Sequence, residues 1–196
     1  MQRPVKAMNS RGLKPAPVAA LVALSVGLAT CGGDPFAFPW VISPDTVLLY
    51  SLARPELNLE AAFNFNNRRK VRVEAATATG TWDVAVDTRD GQIVLLPPGA
   101  LGISSKASVV ALPGLSFDDV LEAPEDTAVY SRFEAVPVHM GTVYVVKTGR
   151  SPGIFGTSCS YYAKLEPLVI DVEGGTLRFV FDASPVCNSL RLIPPD

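Results

Sequence analysis

Residues 82–96 constrain the fold of this chain more than any other segment. Apolar and polar residues alternate over 82–87, which is the period of a β-strand with one buried face. Asp90-Gly91 follows, and residues 92–96 return as a second apolar run. Because Asp-Gly is a preferred two-residue turn, the segment predicts a β-hairpin with Trp82, Val84 and Val86 on one face.

Strand patterns also fill most of the remaining chain. Residues 161–172 and 176–182 predict a second hairpin, with Pro167 marking either a break between two strands or a bulged edge strand. The unbroken apolar run at 143–146 predicts a strand covered on both faces. Further strands are predicted at 46–50, 62–65, 71–75 and 108–111, and one short helix at 116–121. The fold class that follows is all-β, an antiparallel sandwich or partly open barrel with long hairpins and at most one short helix.

The N-terminal segment has the pattern of a bacterial lipoprotein signal. Four basic residues precede an apolar run at 15–29, and small residues lead to a lone Cys31. Leu28-Ala29-Thr30-Cys31 resembles a lipobox, in which the cysteine is acylated. We therefore expect residues 1–30 to be removed, 31–41 to form a lipid-anchored tether and 42–196 to form one β-rich domain. The alternatives are an ordinary signal peptide cut nearby and a buried helix.

Removal of residues 1–30 would make the chain acidic. All 19 acidic residues follow Cys31 but only 13 of the 17 basic residues do, which leaves a formal charge of 13 minus 19, or −6. An acidic surface argues against nucleic acid as a partner. Gly32 stands where an aspartate would favour inner-membrane retention, so we expect the outer membrane, on either its periplasmic or its surface face.

Cys159 and Cys187 are the cysteines that acylation of Cys31 would leave. In an exported domain, an even number of remaining cysteines predicts a disulfide. A metal site is the alternative, but neither cysteine has a second cysteine or a histidine at ligand spacing.

No sequence motif points to catalysis. A glycine-rich phosphate loop and a Gly-x-Ser-x-Gly elbow are both absent, so we expect a protein that is not an enzyme. The loop at 149–160 is long enough to carry a binding function, with Ile154 and Phe155 as its apolar contacts. The alternative is that Phe155 packs back onto the sheet.

Five segments form an ordered set within residues 46–182. They are GTWDVAV at 80–86, SFDDVLEAP at 116–124, TVYVVKT at 142–148, YAKL at 162–165 and TLRFVF at 176–181. In this order, and behind a lipobox, they resemble the HmuY-like haem-binding lipoproteins of Gram-negative bacteria. The resemblance implies paired β-sheets with a groove between long hairpins, and haem as a cofactor held in that groove.

The haem ligands of that family are matched only in part. Its members hold the iron between two axial side chains, histidines or methionines, from opposite walls of the groove. Beyond the signal this chain has one histidine, His139, and one methionine, Met140. Because neighbouring residues on a strand point to opposite faces, the two cannot readily clamp one iron. His139 with Tyr144 or Tyr161 is the remaining arrangement, since phenolate oxygen can ligate haem iron; an ordinary surface histidine is the alternative.

Two functions from different classes follow. One is a lipoprotein that binds haem or another small hydrophobic ligand without chemistry, which an apolar cleft near His139 and Tyr144 would favour. The other is a structural module of the envelope that binds a protein or a glycan, which a sealed core and an exposed apolar patch on the 149–160 loop would favour. In both, the N-terminal lipid anchor makes the membrane a partner.

Mass spectrometry of the mature protein tests the predicted anchor. We expect its N-terminus to be Cys31 carrying a diacylglyceryl group, because the apolar run ends at that residue. A mature N-terminus at another residue would contradict both the anchor and the localisation.

Overall fold

Two five-stranded antiparallel sheets face each other across an apolar core. The computed structural model describes residue 40, residues 44–153 and residues 156–194. Within these residues no sheet closes into a barrel, and the only helices are the short 3-10 helices Pro98–Leu101 and Thr127–Val129. The predicted all-β antiparallel sandwich is therefore confirmed, and the open-barrel alternative is not.

The strands divide between the two sheets and a short ribbon. The first sheet contains β1 (Asp45–Tyr50), β6 (Ser108–Pro113), β8 (Thr142–Lys147), β11 (Tyr162–Asp171) and β12 (Thr176–Ala183), in the order β1-β12-β11-β8-β6. The second contains β2 (Ala62–Asn64), β3 (Arg69–Val71), β4 (Val84–Arg89), β5 (Gln92–Leu96) and β7 (Val136–Pro137), in the order β3-β2-β4-β5-β7. The ribbon pairs β9 (Ser151–Pro152) with β10 (Ser158–Cys159).

Both predicted hairpins are present. β4 and β5 pair across Asp90 and Gly91, whose φ angles of 50° and 74° suit the tight turn that Asp-Gly favours. β11 and β12 pair across residues 172–175, and β11 is bulged after Pro167, as predicted. β11 is not the predicted edge strand, because it also pairs with β8 through Tyr162 to Leu165. The strand predicted at 71–75 is displaced, because β3 ends at Val71.

Four phenylalanine rings fill the centre of the sandwich. Phe63 and Phe65 belong to the second sheet or its margin, and Phe179 and Phe181 to β12; all four are at most 1% exposed. Phe63 meets Phe65 and Phe181 edge to face, with centroids 5.0 and 4.8 Å apart. Edge-to-face pairs stabilise beyond the area they bury, so these rings hold the two sheets together.

Strand β8 is covered on both faces, as its apolar run predicted. Tyr144 and Val146 belong to the core between the sheets. Val143 and Val145 pack on the outer face of the sheet, against the segment that includes Val120. The outer face of the first sheet is therefore lined by its own apolar layer.

Trp82 does not share a face with Val84 and Val86, which the alternation predicted, but lies on the other face of the second sheet. Val84 and Val86 face the core between the sheets, whereas Trp82 packs in the cluster on the outer face. β4 begins only at Val84, so the alternation of the strand does not extend to Trp82. Asp83, outside the strand, instead directs its carboxylate to two backbone N–H groups.

The predicted helix at 116–121 is wrong, and a turn stands in its place. The backbone N–H and the hydroxyl of Ser116 both donate to the Asp119 carboxylate. The buried Nζ of Lys164, on β11, donates to the carbonyl oxygens of Phe117 at 2.7 Å and Val120 at 2.9 Å. These two hydrogen bonds fasten the turn to the sheet, and the Phe117 carbonyl, which a helix would pair with the Leu121 N–H, accepts from Lys164 instead.

The first sheet has two chemically different ends. At the hairpin end, β11 and β12 are joined by the turn at 172–175. At the disulfide end, β8 finishes at Lys147 opposite Tyr162. The last residue of β1, Tyr50, pairs with Thr176 beside the hairpin turn, so β1 runs away from the disulfide end.

A disulfide joins Cys159 of β10 to Cys187, as predicted, with Cα atoms 5.1 Å apart. Asn188 reinforces the link, because its N–H donates to the Ser160 carbonyl and its Oδ1 accepts from the Ser160 N–H, both at 2.9 Å. The segment after β12 is thereby fastened to the ribbon.

Reduction of this disulfide is expected to lower the free energy of unfolding by about 3.5 kcal/mol, because opening it releases a loop of 28 residues in the unfolded chain. Urea unfolding with and without reductant measures the difference. The Cys159→Ser/Cys187→Ser variant is the control, and its stability should not respond to reductant. Two titratable thiols at these positions in the unreduced protein would contradict the bridge.

Candidate functional site

Tyr144 is enclosed in the core and acts as a brace. Its side chain is 0% exposed, and its hydroxyl accepts the backbone N–H of His139 and donates to the Pro137 carbonyl, both at 2.8 Å. Burial raises the pKa of this phenol above its ordinary value. The hydrogen bonds hold the connection between β7 and β8, and they occupy the oxygen that was predicted to bind a ligand.

The other predicted ligand residues lie apart from one another. His139 and Met140 are exposed in the turn before β8. Tyr161 lies beyond the other end of β8, where its carbonyl accepts the Thr148 N–H at 2.9 Å. The six residues of β8 span about 20 Å. The only bond between His139 and Tyr144 is therefore the one from the His139 backbone N–H, and His139 is not brought close to Tyr161. Ligation of a haem iron by these residues stays a prediction.

The described part of the 149–160 loop is an ordered ribbon. Gly153 comes so close to the disulfide that an added Cβ would stand 2.5 Å from the Cys159 sulfur, so this position requires glycine. Tyr161, Pro152 and Pro185 line a surface cavity of about 340 Å³ beside the bridge. The predicted contacts Ile154 and Phe155, like the predicted lipidation site Cys31, lie outside the described residues.

An apolar groove runs along the outer face of the first sheet. It has a volume of about 410 Å³, and its apolar lining residues are Leu112, Leu115, Val120, Leu121 and Ile193. Leu115 and Leu121 are 43% and 49% exposed, so water covers much of their apolar surface.

Charged side chains lie at the rim of this outer groove. Asp119, Glu122 and Arg191 join its lining, and backbone pairing links Glu122 with Arg191. An apolar trough with a few polar groups at its margin is typical of sites for small hydrophobic molecules. Next to the end of β6, the Gly114 N–H donates to the Gly141 carbonyl at 3.2 Å, which joins this region to the turn that carries His139.

A second apolar surface results from the bulge in β11. Pro167 pairs with Phe179 and Val169 pairs with Arg178, so Leu168 is the additional residue. Leu168 is 44% exposed and Val169 and Val172 are each 40% exposed. We call these three residues the hairpin surface. The bulge interrupts the alternation of the strand, which turns two consecutive apolar side chains towards solvent.

A buried carboxylate links the two sheets at the disulfide end. Asp83 is 4% exposed and accepts the N–H of Phe65 at 2.9 Å and the N–H of Gly149 at 2.8 Å. Burial raises the pKa of Asp83 to about 6, and the two hydrogen bonds offset part of that rise. Asp83 thus joins the second sheet to the loop that follows β8.

Sequence reasoning missed both the groove and the buried position of Asp83. Alternation assigned Asp83 to the polar face of the strand. The one sequence feature that could have indicated its burial is its position immediately before an apolar strand. The groove is formed by residues 112–122 together with Arg191 and Ile193, which are remote in sequence, so no local pattern could indicate it. The hairpin surface had one indicator, Pro167, which predicted the bulge but not the exposure that follows from it.

Neither the described part of the structure nor comparison with known proteins assigns a function to the chain. Among residues 44–153 and 156–194, no helix has the length and apolar character needed to cross a membrane, and no three His, Cys, Asp or Glu side chains are grouped to hold a metal ion. Comparison of the chain with protein-family models, curated proteins and solved structures gave no match.

The raised pKa of Asp83 predicts a dependence of stability on pH. The folded state holds this proton up to about pH 6, whereas the unfolded chain loses it near pH 3.9. The contribution of Asp83 to the free energy of unfolding should therefore decrease by about 3 kcal/mol as the pH rises through this window. Urea unfolding at a series of pH values measures it.

The Asp83→Asn variant should lack that part of the pH dependence, while Glu173→Gln, at an exposed carboxylate, is the matched control. Equal pH dependence in the wild type and in Asp83→Asn would contradict the assignment.

Proposed function

We propose that the chain is a lipid-anchored, non-enzymatic binding protein of the bacterial envelope, which holds a small hydrophobic molecule in the outer groove. The observation that carries the proposal is the groove itself, about 410 Å³ in volume with leucine and isoleucine side chains along it. Its volume lies within the range of about 300–1,000 Å³ that small-molecule sites occupy. Release of water from these side chains supplies the driving force for binding.

The packing of the core supports a site on the outer face rather than between the sheets. The four phenylalanine rings and Tyr144 fill the centre of the sandwich and are at most 1% exposed. A ligand as large as haem between the sheets would have to displace these rings. Haem is therefore retained only as one candidate for the outer groove, consistent with the HmuY-like resemblance of the sequence.

The hairpin surface favours a second candidate function, in which the domain binds another envelope protein. Leu168, Val169 and Val172 are exposed together, and clustered exposed apolar residues mark interaction sites on many proteins. β1 runs towards this end of the sheet. An anchor ahead of β1 would thus favour presentation of the hairpin surface away from the membrane.

Titration with the neutral fluorescent probe N-phenyl-1-naphthylamine distinguishes the two surfaces. The full chain should enhance the probe's fluorescence, and Leu121→Arg should weaken binding by about tenfold because it removes apolar contact and introduces a charge. Val169→Arg, at a residue of similar exposure on the hairpin surface, should bind as the wild type does. Equal weakening by both variants, or no enhancement at all, would overturn the groove as the site.

Titration with haemin, followed by the Soret band, separates haem from other ligands in the same protein. A shift abolished by Leu121→Arg would identify haem as a ligand of the groove. A shift abolished by His139→Ala but retained in Leu121→Arg would instead contradict the groove proposal, because it would place the ligand at the predicted histidine.

A further inference from the structure

A basic pocket lies at the disulfide end of the first sheet. Its volume is about 260 Å³, and its lining includes no acidic side chain from residues 44–153 or 156–194. Its four basic side chains come from three separate segments of the chain: Lys106 before β6, Arg132 before β7, and Lys147 with Arg150 in the stretch that joins β8 to β9. Hydroxyl-bearing residues complete the lining, among them Ser108 and Ser160.

Within the described residues, none of the four cations of the basic pocket forms a salt bridge with a carboxylate. Salt bridges within the described part of the chain use Arg54, Arg68, Lys70 and Arg89 and none of the four. The pocket gathers 4 of the 13 basic residues that follow Cys31, in a chain whose formal charge after that residue is −6. Cations placed together without counter-charges repel one another, so an anion bound among them would be stabilised.

Neighbouring groups hold two of these cations in place. The Arg132 Nε–H donates to the Ser105 carbonyl at 2.7 Å, and its guanidinium lies 4.8 Å from the centre of the Phe133 ring. The Lys147 ammonium lies 5.8 Å from the centre of the Tyr162 ring. Lys106 and Arg150 are exposed and stay available to an incoming ligand.

The chemistry and size of the pocket favour a phosphate group. Guanidinium groups form paired hydrogen bonds with the oxygens of phosphate, and lysines add compact positive charge. At about 260 Å³ the pocket is smaller than sites for drug-sized ligands, which suits a single phosphate with a small substituent. Nucleic acid would require an extended basic surface, which a chain with a formal charge of −6 after Cys31 does not favour.

We propose that the basic pocket binds the phosphate of an anionic lipid headgroup and thereby orients the domain on the membrane. The choice of a lipid as the source of the phosphate rests on the proposed lipid anchor at Cys31. β1 runs away from the disulfide end, so a tether ahead of β1 favours contact between this end and the bilayer. The outer groove takes no part in this interaction, because the two cavities share no lining residue.

The test uses the mature lipid-anchored protein in nanodiscs. One set contains phosphatidylcholine alone, and the other contains about one part phosphatidylglycerol to three of phosphatidylcholine, which supplies anionic headgroups. Acylation of lysine amines is followed by mass spectrometry. In the anionic discs, labelling of Lys106 and Lys147 should become about fivefold slower. Lys70, on the edge strand of the second sheet, is the internal control and should label equally in both discs.

Two variants connect the protection to the pocket. In Arg132→Gln/Arg150→Gln the protection of Lys106 and Lys147 should be lost, whereas Arg178→Gln, an exposed arginine on β12, should retain it. Equal protection in both variants would overturn the pocket, since general attraction to an anionic surface would then explain the result.

A further arm adds inorganic phosphate to the phosphatidylcholine discs. Protection by phosphate without protection by phosphatidylglycerol would overturn the headgroup and indicate a soluble phosphate ester. Absence of protection in both arms, with the protein floating together with the discs, would overturn the pocket and leave the proposed anchor standing. Failure of the protein to float with either disc would overturn the anchor, and the headgroup proposal with it.

Discussion

The contact between Phe63 and Phe181 is the interaction on which the rest of the structure depends. Each sheet has one apolar face that must be removed from water, and these rings meet across the space between the sheets with centroids 4.8 Å apart. β2, which carries Phe63, has only three residues and gains little from its own strand pairing. The aromatic contact therefore aligns the sheets and fills the space between them, which leaves the surface as the place for the proposed ligand sites.

A polar contact complements the aromatic one at the disulfide end. The Asp83 carboxylate accepts N–H groups from the second sheet and from the loop after β8, and so fixes the position of that loop. Burying a carboxylate is unfavourable, which the raised pKa reflects. The loop begins at the basic pocket, whose members Lys147 and Arg150 flank Gly149. A buried acid thus helps to position cations without itself lining their pocket.

Local sequence patterns predicted those elements whose interactions are local. The Asp-Gly turn and the alternation on either side of it specify the β4–β5 hairpin, and Pro167 specifies the bulge of β11. The same reasoning failed at residues 116–121, where Lys164 on a distant strand donates to the Phe117 and Val120 carbonyls and holds the segment as a turn. The prediction of the face of Trp82 failed because Asp83 bonds to residues distant in sequence. Its hydrogen bonds keep it out of β4, so the alternation of side chains begins only at Val84.

The sequence by itself determined the all-β class, the two hairpins and the disulfide, since alternation, turn residues and the number of cysteines carry that information along the chain. Only the tertiary structure decided which residues form the cavities that we propose as ligand sites. It buried Tyr144, separated His139 from Tyr161, and assembled both the outer groove and the basic pocket from segments remote in sequence. The physical reason is that a pocket is defined by distances between strands, which packing of the two sheets sets and no local pattern records.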